Sequence, residues 1–156
     1  MRHLLIVFHT QSARTQALAL ACYAGGQSAV AEDAHVQVRL PRCVDADCSD
    51  VLWAHALIIL TPENFSALAG GMKNFFDRVF YPLERAQCVA LPYCMVVSAG
   101  TDGHNAVAQT DKILSGLRAK KIQEALIFYG EPDAAARAQC VELGLAVAMG
   151  LHLGVF

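Results

Sequence analysis

Residues 55–82 read HALIILTPENFSALAGGMKNFFDRVFYP. An uninterrupted apolar run, His55 to Leu60, gives way to a stretch of small and polar residues. A different spacing then takes over: Met72, Phe75, Phe76, Val79 and Phe80 stand at i, i+3, i+4, i+7 and i+8. That spacing puts five large apolar side chains on one wide face of a helix over 71–81. The run before it is continuous rather than alternating, as in a strand buried on both faces. The segment is therefore one β–α unit, and its aromatic stripe is core material.

The same unit recurs to either side. Strand candidates are HLLIVF (3–8), HVQVRL (35–40), PYCMVVSA (92–99) and EALIFY (124–129). Helical spacing follows at 13–24, with Ala17, Leu20, Ala21 and Ala24 on one face. It follows again at 104–118 (Ala106, Thr110, Ile113, Leu117) and 133–150 (Val141, Gly144, Leu145, Ala148), with a short helix expected at 46–54. Five such units predict an α/β fold, a parallel sheet with helices on both faces. Ligands in such sheets bind beyond the carboxyl ends of the strands, where the strand order reverses. The loops after the first, third and fourth strands are thus the places to seek chemistry.

Composition agrees with one domain over 1–156, long enough to bury a core: 55% of the 156 residues are apolar. No uninterrupted apolar run approaches the ~18 residues of a membrane span, and no signal peptide is visible. A net charge of −2 gives no electrostatic reason to bind nucleic acid or an acidic membrane. The six cysteines show no CxxC pair or zinc spacing, so no metal ligand set is expected. Reduced thiols in a cytoplasmic protein are expected, although Cys43 and Cys48 could bridge in an oxidising compartment.

The first loop, HTQSART (9–15), contains no Walker pattern, no GxGxxG, no Cys-x5-Arg and no acid cluster. Hydroxyl and amide side chains at a helix start, with free backbone N–H groups, make an anion site. The plainer reading is that Ser12 caps the helix and the rest is a solvated turn. In the second loop Pro62 is expected to stiffen a turn, Glu63 and Asn64 to offer polar groups, and Phe65 a flat apolar surface. Ala69, Gly70 and Gly71 would let the helix pack closely on the sheet. The third loop, SAGTDGHN (98–105), is small enough for its backbone to approach a flat ligand. His9, alone at a strand end, reads first as a structural group. Together the loops suggest a heteroaromatic ring with a phosphate tail.

These residues resemble a known family. TQSART (10–15) is similar to the flavodoxin phosphate loop, T/S-x-T/S-G-x-T. TPENF…GGMKNFFDRVFYP and SAGTDGHNAVAQTDKIL resemble the flavin-ring loops and following helices of flavodoxin-like NAD(P)H-dependent oxidoreductases. The resemblance covers roughly the whole chain and implies a doubly wound five-stranded parallel sheet of order 2-1-3-4-5, helices on both faces and FMN at the switch point. That order is the general flavodoxin arrangement, carried over with the resemblance. It implies that Thr10, Gln11, Ser12, Ala13, Arg14 and Thr15 hold the FMN phosphate through side chains and amides. Pro62, Glu63, Asn64 and Phe65 would edge the ring on one side, and Ser98, Ala99 and Gly100 on the other. Ala13 departs from the family's glycine; if the position needs a positive φ, alanine there is strained.

Two activities fit the resemblance. One is an enzyme passing electrons from NAD(P)H through FMN to a quinone, flavin or similar acceptor; the other is a flavodoxin-type carrier without nicotinamide activity. A regulatory flavin-binding protein is a third. Acids and bases nearly balance, 14 against 12, whereas carriers are usually strongly acidic, and this favours the enzyme. Flavin does the hydride chemistry itself, so no catalytic acid or base is named. The apolar ending GLHLGVF, with Leu151, Leu153, Val155 and Phe156, predicts a homodimer unless the tail folds back on its own domain.

Overall fold

The computed structural model describes residues 1–156. In chain order the elements are β1 (Arg2–Phe8), α1 (Arg14–Ala31), β2 (Val36–Arg39), α2 (Cys48–Trp53), β3 (Ala56–Asn64), β4 (Ala67–Leu68), α3 (Gly70–Arg85), β5 (Pro92–Ala99), α4 (His104–Gly116), β6 (Lys120–Lys121), β7 (Leu126–Tyr129) and α5 (Ala134–Leu153). The sheet runs β2-β1-β3-β5, and β6 and β7 both pair with the far edge of β5, all in parallel. β6 lies against Pro92 and Tyr93, β7 against Val96 to Ala99, so the two segments share the fifth place. With that place counted once and the β4 hairpin set aside, the order is 2-1-3-4-5, the flavodoxin-like doubly wound fold.

The expected fifth strand at 124–129 is shorter at its start and preceded by a detached piece. Its opening carries Lys120, Lys121, Gln123 and Glu124; such charges blunt a sheet edge, and Lys121 is tied by ion pairs to Asp111 (2.8 Å) and Glu124 (3.5 Å).

Continuous apolar strands are explained by the two cores they separate, since successive side chains point to opposite faces. Leu4, Ile6 and Phe8 of β1, with Ala56, Ile58 and Leu60 of β3, pack under α1 and α5. Leu5 and Val7, with Leu57, Ile59, Met95 and Val97, pack under α2, α3 and α4. The stripe on α3 behaves as read: Met72, Phe75, Phe76 and Val79 are buried, each large side chain contributing about 1.5–3 kcal/mol by leaving water.

α1 is longer than read and buries a different face. Leu18, Ala19, Ala21, Cys22, Gly25, Gly26 and Ala29 are inside, while Leu20 is exposed and Ala24 faces water. Apolar residues occur all round this helix, so spacing cannot select a face; contact with α5 selects it. A Cβ on Gly25 would sit 1.9 Å from the Val141 carbonyl oxygen, and one on Gly144 would sit 1.9 Å from that of Cys22. The two backbones touch, and only glycine at these positions allows it. By length and composition α5 could cross a membrane, but Leu143, Val147, Ala148 and Leu151 are buried in this core.

All six cysteines are free, Cys43 and Cys48 included. Burial pushes the Cys94 thiol up to about 12, consistent with a small apolar core residue. At the carboxyl end, Gly154 turns the chain at φ 68 and the Val155 amide donates to the Gly150 carbonyl (2.9 Å). This lays the Phe156 ring over Gly150. The tail thus folds back in part, while Leu153 and Val155 stay exposed.

Candidate functional site

Strand order reverses between β1 and β3, since β2 lies on one side of β1 and β3 on the other. The β1–α1 loop, the β3–β4 hairpin and the β5–α4 loop all open at this carboxyl edge. Side chains bind them together. Asn64 Nδ2 donates to Gln11 Oε1 (2.5 Å), joining the first loop to the second. Glu63 joins the second to the third: its carboxylate accepts from the Thr101 amide and hydroxyl (both 3.0 Å) and from the Gly103 amide (2.5 Å). Burial pushes the Glu63 pKa up, but the hydrogen bonds from Thr101 and Gly103 outweigh it and hold the carboxyl below its ordinary range. α4 supports the hairpin from behind, through Gln109 accepting from the Leu68 amide (2.7 Å) and Asn105 donating to the Ser66 carbonyl (2.6 Å).

The first loop has the features of an anion cradle. The amides of Thr10, Gln11, Ser12 and Ala13 donate to no backbone carbonyl and to no side chain, and α1 begins directly behind them with its unpaired N–H groups. The Thr10 hydroxyl oxygen is buried without a hydrogen-bond partner. Buried polar groups are nearly always paired, so this one marks a place where an acceptor or donor belongs. Ser12 does not cap the helix. Ala13 occupies the cap position at φ 64, ψ −6, with no side-chain cap bond. The positive φ is therefore real, and alanine holds a backbone conformation that favours glycine. Thr15 is buried at the first turn. Arg14 does not reach back over the loop: its Nε is bound to Glu131 Oε1 at 2.6 Å.

The second loop differs from its reading in one respect. Pro62 is not in a turn; β3 continues through it to Asn64, with Pro62 opposite Ser98 in the ladder. The turn is Phe65–Ser66, closing a hairpin in which Glu63 faces Leu68 and Asn64 faces Ala67. Both turn residues have positive φ, 50 and 57, the tight-turn class that matches strand twist and normally takes Asn-Gly. Phe65 stands at the tip with its ring fully exposed. Ser98 and Ala99 are buried at the end of β5, and Gly100 is exposed where the third loop starts.

His9 is structural, as its position suggested. Its ring lies where a Cβ on Gly71 would be (2.3 Å to Cε1), and Nδ1 is 3.6 Å from the Cys43 sulfur. Burial, then Arg42, lowers its pKa. Gly71 is the residue that admits this ring, whereas Gly70 has open space around it and carries no packing constraint. Sequence reasoning missed Gln11 as a side-chain bridge, and also Thr101, Gly103 and Glu131. Glu131 lies at the end of a different strand, and no local spacing connects it with Arg14.

A family model for NADPH-dependent FMN reductase matches residues 44–131, which contain both ring loops. The chain belongs to that family. It is 30% identical over 108 residues to a flavodoxin of Aquifex aeolicus, the match covering 69% of this chain and 56% of that protein. It therefore spans little more than half the length of this relative. The fold superposes on an archaeal flavodoxin with TM-score 0.78 at 17% identity, covering 96% of this chain and 98% of the other. It also superposes on the two-electron reduced flavodoxin of Megasphaera elsdenii, with TM-score 0.76 at 22% identity and coverage of 94% and 98%.

The residues present fit FMN. Unpaired amides, an orphaned hydroxyl and a helix start suit a phosphate, and two tied loops with an exposed aromatic ring suit the flat end of the molecule.

Proposed function

We propose that the chain is an FMN-binding oxidoreductase that passes electrons from NAD(P)H through bound flavin to a quinone, flavin or similar small acceptor. The observation that carries this reading is the orphaned Thr10 hydroxyl among free amides, set beside ring loops that match the FMN reductase family. The Thr10 hydroxyl and the amides from Thr10 to Ala13 hold the phosphate, with Ser12 and Thr15 adding hydroxyls at the helix start. Pro62 to Phe65 and Ser98 to Gly100 border the ring. Bound FMN supplies the hydride chemistry. The protein's task is to fix the ring between tied loops and leave one face free, with Phe65, exposed at the hairpin tip, to flank the donor's nicotinamide.

The flavodoxin relative favours a second reading, an electron carrier without nicotinamide activity. Net charge separates the two: at −2 the chain lacks the strong acidity with which carriers dock on their reductases. Anaerobic mixing of the FMN-loaded protein with NADPH or NADH decides between them. Bleaching in one two-electron step, with repeated recovery on adding quinone, supports the enzyme. Absence of bleaching by both nicotinamides, with semiquinone building up under dithionite, supports the carrier.

A further inference from the structure

The Arg14–Glu131 pair joins residues 117 apart in sequence and is the one ion pair at the cradle. Glu131 is not on a loose loop. Two residues before it, the Tyr129 hydroxyl donates to the Asp102 carbonyl (3.0 Å). Two residues after it, the Asp133 carboxylate accepts from the Ala136 amide (2.8 Å) and caps α5. The carboxylate is thereby delivered to the start of α1, where the proposed site needs positive charge. Only Arg14 Nε is engaged, yet the guanidinium's charge is offset by a full negative one. Both side chains are well exposed, 40% and 78%, and exposed pairs are weak. A phosphate monoester accepts a charge-assisted, two-pronged contact from arginine and is the stronger partner.

We infer that Glu131 is a specificity-determining residue: it occupies Arg14 in the free protein and must yield it to the phosphate of the entering flavin nucleotide. Binding is then an exchange of anions at Arg14. The exchange breaks the Arg14–Glu131 pair, so FMN is held less tightly than the same cradle would hold it without Glu131. The inference rests on the FMN reading and gives it a consequence: the nucleotide is exchangeable, and the margin between FMN and unphosphorylated riboflavin is narrowed by one residue outside the loop.

The test is a double-mutant cycle read by quenching of flavin fluorescence, with FMN and riboflavin titrated into the wild type, Glu131→Gln, Arg14→Gln and the double variant. Glu131→Gln should tighten FMN by about two- to fivefold, the range of an exposed ion pair, and leave riboflavin unchanged. In the Arg14→Gln background that gain should largely disappear. Glu131→Ala should act with the same sign, and thermal melts should show all variants folded. Unchanged or weakened FMN binding in Glu131→Gln overturns the inference, as does an equal gain for riboflavin or one that survives intact without Arg14. If neither flavin binds any of the proteins, the FMN reading itself fails and the inference falls with it.

Discussion

Thr10, Ala13 and Phe65 each break a local rule, and each does so at the carboxyl edge of the sheet. Thr10 buries a hydroxyl with no partner, which costs roughly 1–3 kcal/mol when nothing satisfies it. Thr10→Val removes the hydroxyl at nearly constant volume. The free protein should be as stable as before or more so in urea titration, while FMN binding weakens about tenfold or more and riboflavin binding does not. Loss of both ligands together would remove the hydroxyl from the phosphate. Ala13 holds φ 64, a conformation that costs an L-residue roughly 1–2 kcal/mol. Ala13→Gly should stabilise the chain by about 0.5–1 kcal/mol after glycine's own entropy is counted, read as a higher urea midpoint with FMN affinity kept or improved. Phe65 is a fully exposed ring at a strained turn; such strain collects at functional sites. Phe65→Ala should leave stability nearly unchanged and weaken FMN and riboflavin alike.

At the scale of elements, the contact between α1 and α5 is the least tolerant feature of the fold. Gly144→Ala places a methyl group against the Cys22 carbonyl, and overpacking against backbone typically costs 1–3 kcal/mol or more. A drop of at least about 2 kcal/mol in urea-derived stability is expected; a neutral result would mean the helices can separate. This contact also explains why the spacing within α1 points to a different face from the one that is buried. Its buried face is set by glycines meeting another helix far along the chain, which no spacing within α1 records. α3 was legible because five large apolar residues at one spacing admit one interior face. β3 runs past the Leu60 that the apolar run suggests: Pro62 looks like a breaker, yet near the strand's carboxyl end, opposite Ser98, its missing N–H is tolerated. The hairpin beyond it was invisible because Phe-Ser is not a pair that its turn class usually takes.

For the whole molecule, titration adds a further expectation. His9 and His55 have pKa values lowered by burial, helped by Arg42 at His9 and by His3 and Arg2 at His55. They stay neutral in the native state while the unfolded chain takes up protons near the ordinary 6.5. Their contribution is therefore full above 6.5 and declines as pH falls below it. Glu63 is lowered, so its contribution is present above 4.5 and is lost as pH falls through its folded value. Urea midpoints measured from pH 8 to pH 4 should fall in two stages, and His55→Gln should reduce the first. We propose assembly as a homodimer through the exposed Leu153 and Val155; light scattering at micromolar concentration should give twice the 16.8 kDa chain mass. The three loops were legible as a candidate site because their hydroxyls, glycines and aromatics follow strand ends. The clamp of Glu63 on Thr101 and Gly103 and the hold of Glu131 on Arg14 were not, because each joins loops that only the fold brings together. Whether these loops hold a phosphorylated flavin is decided by equilibrium titration of the purified, flavin-free protein with FMN and with riboflavin. Saturable FMN binding at one site per chain is expected, with riboflavin at least tenfold weaker. Equal affinity for the two flavins, or no binding of either, contradicts it.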